Sequence, residues 1–356
     1  MRRILLIALC LFCLLPLQAQ DEQTLEDILS QFAEEDGVAV TVQIVTPDES
    51  FAAAIGQANE TRAALPEDRF RIGSMSKTFV SVTALLLVEE GIFQLDDLAS
   101  KWLPQEILEN IANTDTVTIR QLLSMRSGID DYLGTDGFWA AIEANSSRTW
   151  TAAEALKYAY DLPALFAPDE DFTYSNSNYL LMQLVMETAT GKELHTLVRE
   201  RILHPLALTN TYTQVSETLD GEFVNGYEDF DGDGEKEDVT DHNDGAGLGD
   251  GALVSNTTDI ITFYRALLQD ETVLSEASLE ELLAFSEDDE GGSYSLGFAN
   301  FESPWGDTWG HSGSVLGFSS IGVYLPEEET FIVVLAASTE IDIQSIALSV
   351  GEAFLE

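Results

Sequence analysis

Runs typical of β-strands stand at the two ends of this chain. Near the N-terminus, GVAVTVQIV (37–45) and SFAAAIGQA (50–58) are separated by the turn residues TPDE, which predicts a hairpin. Near the C-terminus, TWGHSGSVLGFSSIGVYLP (308–326) and TFIVVLAAS (330–338) repeat the pattern, and a helical stretch runs from Ile341 to Phe354. We therefore expect one antiparallel sheet built from both ends of the chain.

The middle of the chain has helical periodicity instead. SKTFVSVTALLLVEEG (76–91) and NYLLMQLVMETATG (178–191) each close on a glycine, and TIRQLLSM (118–125) starts from a threonine cap. The prediction is an α/β protein of the α+β type, in which helices flank the sheet and a mostly helical subdomain is inserted. We expect the α/β part at about 21–72 and 293–356, the helical part at about 73–292, and a cleft between them.

The first twenty residues, MRRILLIALCLFCLLPLQAQ, have the basic start and short apolar run of a secretory signal peptide. The run is too short to span a bilayer comfortably, and no later segment approaches the length of a transmembrane helix. We therefore expect a mature domain of residues 21–356 that is secreted or periplasmic, with no membrane insertion. Both cysteines lie in the expected signal peptide, which excludes cysteine catalysis and thiolate metal sites in the mature chain.

Sixteen basic residues against 63 acidic ones give the 356-residue chain a formal net charge of −47. This charge repels nucleic acid and anionic membranes, so partners of those kinds are not expected. The acidic residues are scattered rather than gathered in one tail, which is typical of a solvated acidic surface.

One acidic loop, residues 227–247, approximates the start of a calcium-binding loop. Oxygen-bearing side chains stand at alternate positions, and Gly234 occupies the sixth position. The match is partial, because Thr240 stands where a bidentate glutamate is needed and no helical pattern flanks the loop. A structural calcium ion and a solvated hairpin tip therefore stay open as alternatives, and the rest of the sequence requires no cofactor. The candidate calcium ligands are Asp229, Asp231, Asp233 and Glu235.

The segment RIGSMSKTF (71–79) places Ser74 three positions before Lys77 at the start of an apolar helix. Side chains at this spacing share a helix face, so Ser74 Oγ and Lys77 Nζ can approach each other. Apolar surroundings remove hydration from the lysine and lower its pKa, and a neutral amine can accept the serine proton. The pattern alone is also that of a capping serine followed by a solvated lysine.

Two later motifs offer partners for this pair. DFTYSNSNYLL places Tyr174 and Asn176 in a loop before a helix; the tyrosine can relay a proton if a nearby ammonium lowers its pKa, and the amide can bind lysine and substrate. Taken singly, the two residues would be a core aromatic and a helix N-cap. In WGHSGSVLGF, Gly313 follows His311 and leaves room for a substrate to pair with the strand edge. The other histidines lack ligand-like spacing, so we expect no histidine metal site.

In these motifs the sequence resembles the serine β-lactamase and penicillin-binding-protein-like superfamily, on the branch of class C β-lactamases, D,D-carboxypeptidases, D-aminopeptidases and family VIII esterases. SMSK, YSN and HSG stand in the places of its three motifs. Linking segments such as GIFQLDDLASKWLP and GDGALVSNTTDI are similar too, and the resemblance covers roughly residues 25–355. It implies a β-lactamase/transpeptidase-like fold and an acyl-enzyme on Ser74, with proton transfer shared by Lys77 and Tyr174.

The resemblance also implies roles in substrate binding. Asn176 would orient the substrate, His311 would add donor or positive character where a lysine often stands, and the backbone N–H groups of Ser74 and Ser314 would form the oxyanion hole. Because histidine titrates near neutrality, activity toward carboxylate-bearing substrates should fall as His311 deprotonates.

The expected protein is thus a serine hydrolase whose partner is a small molecule or peptide: an ester, a D-amino-acid peptide or amide, or a β-lactam. A penicillin-binding or sensor protein of the same fold that does not turn over its substrate is the alternative. The candidate catalytic residues are Ser74, Lys77 and Tyr174, and the candidate substrate-binding residues are Asn176, His311, Gly313 and Ser314.

Overall fold

The computed structural model describes residues 17–33, 37–217, 223–230, 232–287 and 293–355. Strands within these residues are numbered in chain order. They are β1 (Val40–Val45), β2 (Ser50–Ile55), β3 (Gln57–Asn59), β4 (Arg62–Ala63), β5 (Phe70–Arg71), β6 (Tyr212–Thr213), β7 (Tyr227–Glu228), β8 (Glu237–Asp238), β9 (Leu253–Ser255), β10 (Ser286–Glu287), β11 (Ser293–Tyr294), β12 (Ala299–Ser303), β13 (Gly306–Val315), β14 (Phe318–Leu325) and β15 (Thr330–Ala336).

The α-helices of the described residues are numbered in the same way. They are α1 (Leu17–Leu29), α2 (Ser76–Glu89), α3 (Gln105–Asn110), α4 (Ile119–Leu123), α5 (Asp136–Ala144), α6 (Ala152–Ala155), α7 (Ser177–Thr190), α8 (Leu194–Val198), α9 (Thr257–Tyr264), α10 (Glu276–Leu282) and α11 (Ile343–Phe354). None of these helices combines the length and the apolarity that crossing a bilayer requires. Of the expected signal peptide, residues 1–16 lie outside the described residues, and residues 17–20 begin α1.

Both ends of the chain meet in one antiparallel sheet of eight strands, in the order β10-β11-β12-β13-β14-β15-β1-β2. β1 pairs with β2 through the predicted hairpin, and its other edge pairs with β15, so that Val40 lies opposite both Ile55 and Ala336. The predicted sheet built from both chain ends is confirmed. β14 and β15 are buried along their whole length because helices cover both faces, which explains the nearly continuous apolar sequence of β15.

The terminal helices α1 and α11 cover one face of the sheet. They contact each other and pack on β2, β14 and β15. The side chains between them are apolar, and include Leu25, Val42, Ile332 and Ile346. Burying an aliphatic side chain of this size contributes about 1.5–3 kcal/mol, so this face is a source of stability.

The helical part covers the opposite face. A 3₁₀ turn, Gly73–Met75, lies against β13 and β14 and leads directly into α2. α2 is buried almost all round, since α7, α8 and α10 pack against it. The turn and the first residues of α2 therefore lie where the sheet meets the helices, which is the predicted place of the cleft.

The helix starts and stops follow the predicted signals. Thr118 caps α4, accepting a hydrogen bond from the Gln121 backbone N–H while the Gln121 side chain accepts one from the Thr118 N–H. Gly191 ends α7 with φ = 68°, a left-handed conformation that glycine adopts without strain.

Candidate active site

Ser74 and Lys77 are brought together at the start of α2. Ser74 lies in the 3₁₀ turn, Lys77 lies in the first turn of the helix, and the Lys77 side chain is fully buried. Lys77 Nζ donates to Ser74 Oγ, to Asn176 Oδ1 and to the main-chain oxygen of Asp250, each at 2.8 Å. These three bonds use every donor of an ammonium group. The interpretation of Lys77 as a solvated side chain is therefore wrong.

Burial lowers the pKa of Lys77, because an ammonium group loses hydration in this site. The negative charges of Asp250 and Asp131 act in the opposite direction and limit the fall. A lysine held in this way can exist as a neutral amine beside the serine hydroxyl, as the sequence predicts.

Asn176 precedes α7 at the N-cap position, but its side chain does not cap the helix. Its Oδ1 accepts from Lys77, and its Nδ2 donates to Asp131 Oδ2 at 2.8 Å. The amide is thereby fixed in one orientation between a donor and a carboxylate. The capping interpretation is wrong, and the predicted contact with the lysine is present.

Tyr174 lies beside the same amine, with Lys77 Nζ 5.0 Å from the centre of its ring. The tyrosine hydroxyl is buried and makes no hydrogen bond of normal geometry with any described residue. Burial raises the pKa of Tyr174, and the nearby Ser74 hydroxyl offsets only part of this effect. The condition set for a proton relay, an ammonium that lowers this pKa, is therefore not met, because burial and the negative charges of Asp250 and Asp131 raise it. Tyr174 is a neutral phenol beside Ser74.

His311 lies on β13 and is only 5% exposed. Its Nδ1 faces the main-chain oxygen of Ser312, so this nitrogen carries the hydrogen, and Nε2 lies 3.2 Å from the Tyr294 hydroxyl. Burial, together with the charge of Lys77, lowers the pKa of His311 to about 3. The expectation of a titration near neutrality is wrong, and the imidazole brings no positive charge to the cleft at neutral pH.

Beyond Gly310, none of the described strands pairs with the edge of β13 that faces the cleft. β12 pairs with β13 only from Gly306 to Gly310, whereas β14 pairs with β13 as far as Val315. Residues 311–315 therefore offer backbone groups to which an extended substrate can add as a further strand, and such pairing stays a prediction.

Glycines bring this strand edge close to the nucleophile. A Cβ on Gly313 would lie 2.2 Å from Ile72 O and 2.9 Å from Ser74 N, and a Cβ on Gly73 would lie 2.9 Å from Ser314 N. Such close approach is open only to residues without a side chain. The main chains of Ser74 and Ser314 thus lie side by side, as a two-donor oxyanion hole requires.

The cleft around Ser74 has a volume of about 670 Å³. One part of its wall is aromatic and aliphatic, with contributions from Phe172, Tyr294, Phe301 and Ile341, and the rest is polar and includes Ser319, Thr339 and Gln344. Among the described residues that line it there is no arginine or lysine, and Asp342 is the one acidic residue.

The family model described as Beta-lactamase matches residues 25–342. The chain belongs to this family. Penicillin-binding protein 4* of Bacillus subtilis (strain 168) is 27% identical over 313 residues, which are 83% of this chain and 67% of that protein.

Two solved structures show how far the likeness extends in three dimensions. A D-stereospecific amidohydrolase from Streptomyces sp. has a TM-score of 0.83 and 28% identity, covering 96% of this chain and 99% of its own. D-amino acid amidase from Ochrobactrum anthropi SV3 has a TM-score of 0.81 and 24% identity, covering 94% and 98%, and shows the common fold. The predicted resemblance and fold class are confirmed.

Sequence reasoning missed three polar residues of this Beta-lactamase-family site: Asp131, Tyr132 and Asp250. The Tyr132 hydroxyl donates to Asp250 Oδ2 at 2.8 Å, and Asp250 Oδ1 has no hydrogen-bond partner among the described residues. Burial raises the pKa of both carboxyl groups. The chain has 63 acidic residues, and the only local feature that marks Asp250 in the sequence is its position between two glycines, Gly249 and Gly251.

The acidic loop contains no described metal cluster. Asp229 Oδ2 accepts from the Gly234 backbone N–H at 3.0 Å and Asp233 Oδ1 from the Glu235 N–H at 2.9 Å, within the hairpin of β7 and β8. Asp231 lies outside the described residues, and among those described no group of three or more His, Cys, Asp or Glu side chains could hold an ion. Calcium binding stays a prediction.

The same loop is tied to the strands that form the cleft. Arg71 is buried, and its guanidinium donates to the main-chain oxygens of Thr240 and His242 at 2.7 and 3.0 Å. Glu228 Oε2 accepts from the Gly317 N–H, in the turn between β13 and β14, at 3.2 Å. The loop therefore supports the turn that follows Ser314.

Proposed function

We propose that this protein is a serine hydrolase that forms an acyl-enzyme on Ser74 and acts on amides or esters whose reacting end carries no carboxylate. The observation that carries the proposal is the fully buried Lys77, hydrogen-bonded to Ser74 at 2.8 Å beside a free strand edge. A buried amine in contact with a hydroxyl is the arrangement that nucleophilic catalysis needs.

The first half of the reaction uses Lys77 as the base. The neutral amine takes the hydroxyl proton of Ser74 while Oγ attacks the substrate carbonyl carbon. The carbonyl oxygen becomes an anion between the N–H groups of Ser74 and Ser314. As the C–N or C–O bond breaks, the departing amine or alcohol takes a proton from the Lys77 ammonium, with the neutral Tyr174 phenol as the neighbouring donor.

The second half returns the enzyme to its starting state. A water molecule attacks the acyl carbon and gives its proton to Lys77, and the bond from carbon to Ser74 Oγ breaks. The same proton then returns from Lys77 to Ser74, so that the sum of both halves is hydrolysis of one amide or ester bond.

The charge of the cleft favours neutral substrates. The described lining holds no arginine or lysine, and His311 is uncharged at neutral pH, so a carboxylate would lose its hydration without an ionic partner. The aromatic part of the wall, formed by Phe172, Tyr294 and Phe301, favours a substrate with an apolar side chain. The Streptomyces D-stereospecific amidohydrolase, at 28% identity, supports amides of D configuration as the first class to test.

Penicillin binding without turnover is the second candidate. The 27% identity with penicillin-binding protein 4* over 83% of this chain favours it. A β-lactam or a D-Ala-D-Ala peptide brings a carboxylate, and the described residues that line the cleft include no arginine or lysine to pair with it.

A parallel assay distinguishes these candidates. D-phenylalanine amide, p-nitrophenyl acetate, a D-Ala-D-Ala peptide and nitrocefin are each incubated with the wild type and with Ser74→Ala. We expect steady turnover of the amide and the ester, little turnover of the two carboxylate-bearing compounds, and loss of all turnover in Ser74→Ala. Ser30→Ala, in an exposed position of the N-terminal region, is the matched control and should keep full activity. A burst of nitrocefin opening without turnover of any substrate would favour the second candidate.

We also propose that the protein is exported, on the layout of its first twenty residues. Mass spectrometry of protein recovered from the periplasm or medium should find an N-terminus close to Asp21. A product that retains Met1 and stays with the cytoplasmic fraction would contradict export.

A further inference from the structure

Asp250 makes two separate contacts with the candidate site. Its main-chain oxygen accepts a 2.8 Å hydrogen bond from Lys77 Nζ, and its side-chain Oδ2 accepts one of 2.8 Å from Tyr132. The residue is 5% exposed, Tyr132 is fully buried, and Asp250 Oδ1 has no hydrogen-bond partner among the described residues.

Neither contact explains why the side chain is a carboxylate. Any residue could supply the main-chain oxygen, and an asparagine could accept the hydrogen bond from Tyr132 without placing a charge in the core. A buried carboxylate with one donor and one free oxygen is destabilising on its own. What only an acidic side chain supplies here is a negative charge near Lys77.

Several titratable groups surround this carboxyl. Lys77 faces it from α2, Asp131 and Tyr132 face it from the segment before α5, and Tyr174 faces it from the loop before α7. Asp244, on the segment that leads to Asp250, acts on Tyr132 as well. Lys77 is the one cation in this group, and the other members are acids or phenols.

We propose that Asp250 is the positioning residue of the Lys77 amine: its main-chain oxygen fixes the amine against Ser74, and its carboxylate, held by Tyr132, controls whether the amine carries a proton. The catalytic role of the amine rests on the proposed function. The effect of Asp250 on the protonation of Lys77 does not, because it depends only on the folded structure.

The direction of the effect follows from the charges. Burial alone favours the neutral amine of Lys77, and a nearby negative charge favours its ammonium form. The carboxylate of Asp250 therefore limits the fall of the Lys77 pKa. The amine stays basic enough to accept a proton in a reaction near neutral pH. Replacing the carboxylate by a neutral amide should let Lys77 lose its proton at a lower pH.

The test is an NMR titration of the five lysines with ¹³C at Cε, using Lys77→Met to assign the Lys77 signal. In Asp250→Asn, we expect the midpoint of Lys77 to fall by about one pH unit relative to the wild type. Tyr132→Phe keeps the carboxylate but removes its donor, which makes the charged form less stable, so the midpoint should move in the same direction by a smaller amount.

Asp259→Asn is the matched control. Asp259 is also buried, at 6% exposed, and accepts hydrogen bonds from Asn210 N and Thr211 Oγ1 in a different part of the core. This variant should leave the Lys77 midpoint unchanged even if it lowers Tm.

A second measurement links the titration to reactivity. The rate of labelling by a fluorophosphonate should rise with pH as Lys77 loses its proton, and in Asp250→Asn this rise should begin about one unit lower. A Lys77 midpoint in folded Asp250→Asn and Tyr132→Phe that equals or exceeds the wild-type value overturns the inference. Absence of labelling in the wild type, with the expected shift of the lysine midpoint, overturns the proposed function and leaves the role of Asp250 standing.

Discussion

The two faces of the eight-stranded sheet bury different chemistry. Under α1 and α11 the core consists of apolar side chains such as Leu25 and Ile346, whose burial stabilises the fold roughly in proportion to area. On the other face, the core beside β13 contains Lys77 and Asp250, groups whose burial is unfavourable unless partners compensate.

This difference separates stability from reactivity. Changes under the terminal helices should alter the free energy of unfolding and leave the chemistry of the folded protein intact, whereas changes around Lys77 should act on the chemistry first.

Lys77→Met preserves the length of the side chain and its apolar stem but removes the amine. We expect the rate of p-nitrophenyl acetate hydrolysis at pH 8 to fall by about 10²–10⁴, the usual contribution of a general base. Lys101→Met, at a half-exposed lysine that pairs with Asp97, is the control and should retain the wild-type rate. A loss of less than tenfold in Lys77→Met would show that the buried polar face is not where the chemistry occurs.

Gly313→Ala tests the close approach of β13 to the nucleophile. The new Cβ would lie 2.2 Å from Ile72 O, so the strand and the turn that carries Ser74 must move apart. Displacing catalytic groups by a fraction of an ångström to one ångström should lower kcat/KM by about 10²-fold. Gly134→Ala, where a Cβ would meet nothing within 4 Å, should be neutral, and equal rates in the two variants would refute the geometric argument.

Ile346→Ala acts on the apolar face. Ile346 is fully buried in α11, so its truncation should lower the free energy of unfolding by about 2–5 kcal/mol in urea titrations. Leu348→Ala in the same helix, at a side chain 43% exposed, should change that free energy by no more than about 0.5 kcal/mol. Both variants should match the wild type in kcat/KM per folded molecule. A selective loss of activity in Ile346→Ala would break the separation of the two faces.

The smallest expected effect concerns the protonation of His311, which can be measured only in the pH titration of its own ring. Because burial lowers its pKa from 6.5 to about 3, its ring proton signals should not move between pH 5 and 9 in the folded protein, and should titrate in urea. Below pH 6.5 the unfolded chain binds a proton that the folded chain does not, so this residue makes stability decrease as the pH falls toward 3. A folded-state midpoint near neutrality would restore a charged imidazole to the cleft.

The parts that sequence predicted correctly depend on local patterns. The strands at both ends, the helix after Ser74 and the cap of α4 each follow from spacings of a few residues. The contact between Ser74 and Lys77 is of the same kind, because three residues along a helix bring side chains together in any fold.

The parts that it missed depend on packing between distant segments. Tyr132 reaches Asp250 across 118 residues of chain, and nothing local separates Asp250 from the many acidic residues that face solvent. For the same reason, the sequence predicts the protonation of His311 wrongly and does not show that the pKa of Tyr174 is raised. The residue type gives the ordinary pKa. The burial that shifts this pKa is set by neighbours from other segments of the chain, such as Tyr294 beside His311.

The order of strands also fixes when this protein can become active during its synthesis. Ser74 leaves the ribosome early, but the turn that carries it rests on β13 and β14, and the N-terminal hairpin joins the sheet through β15. These strands lie far behind Ser74 in the chain, because β13 begins only at Gly306. A nascent or prematurely terminated chain that stops before β13 therefore has its nucleophile but no scaffold for it, and catalytic competence requires β13, β14 and β15 to have been synthesised.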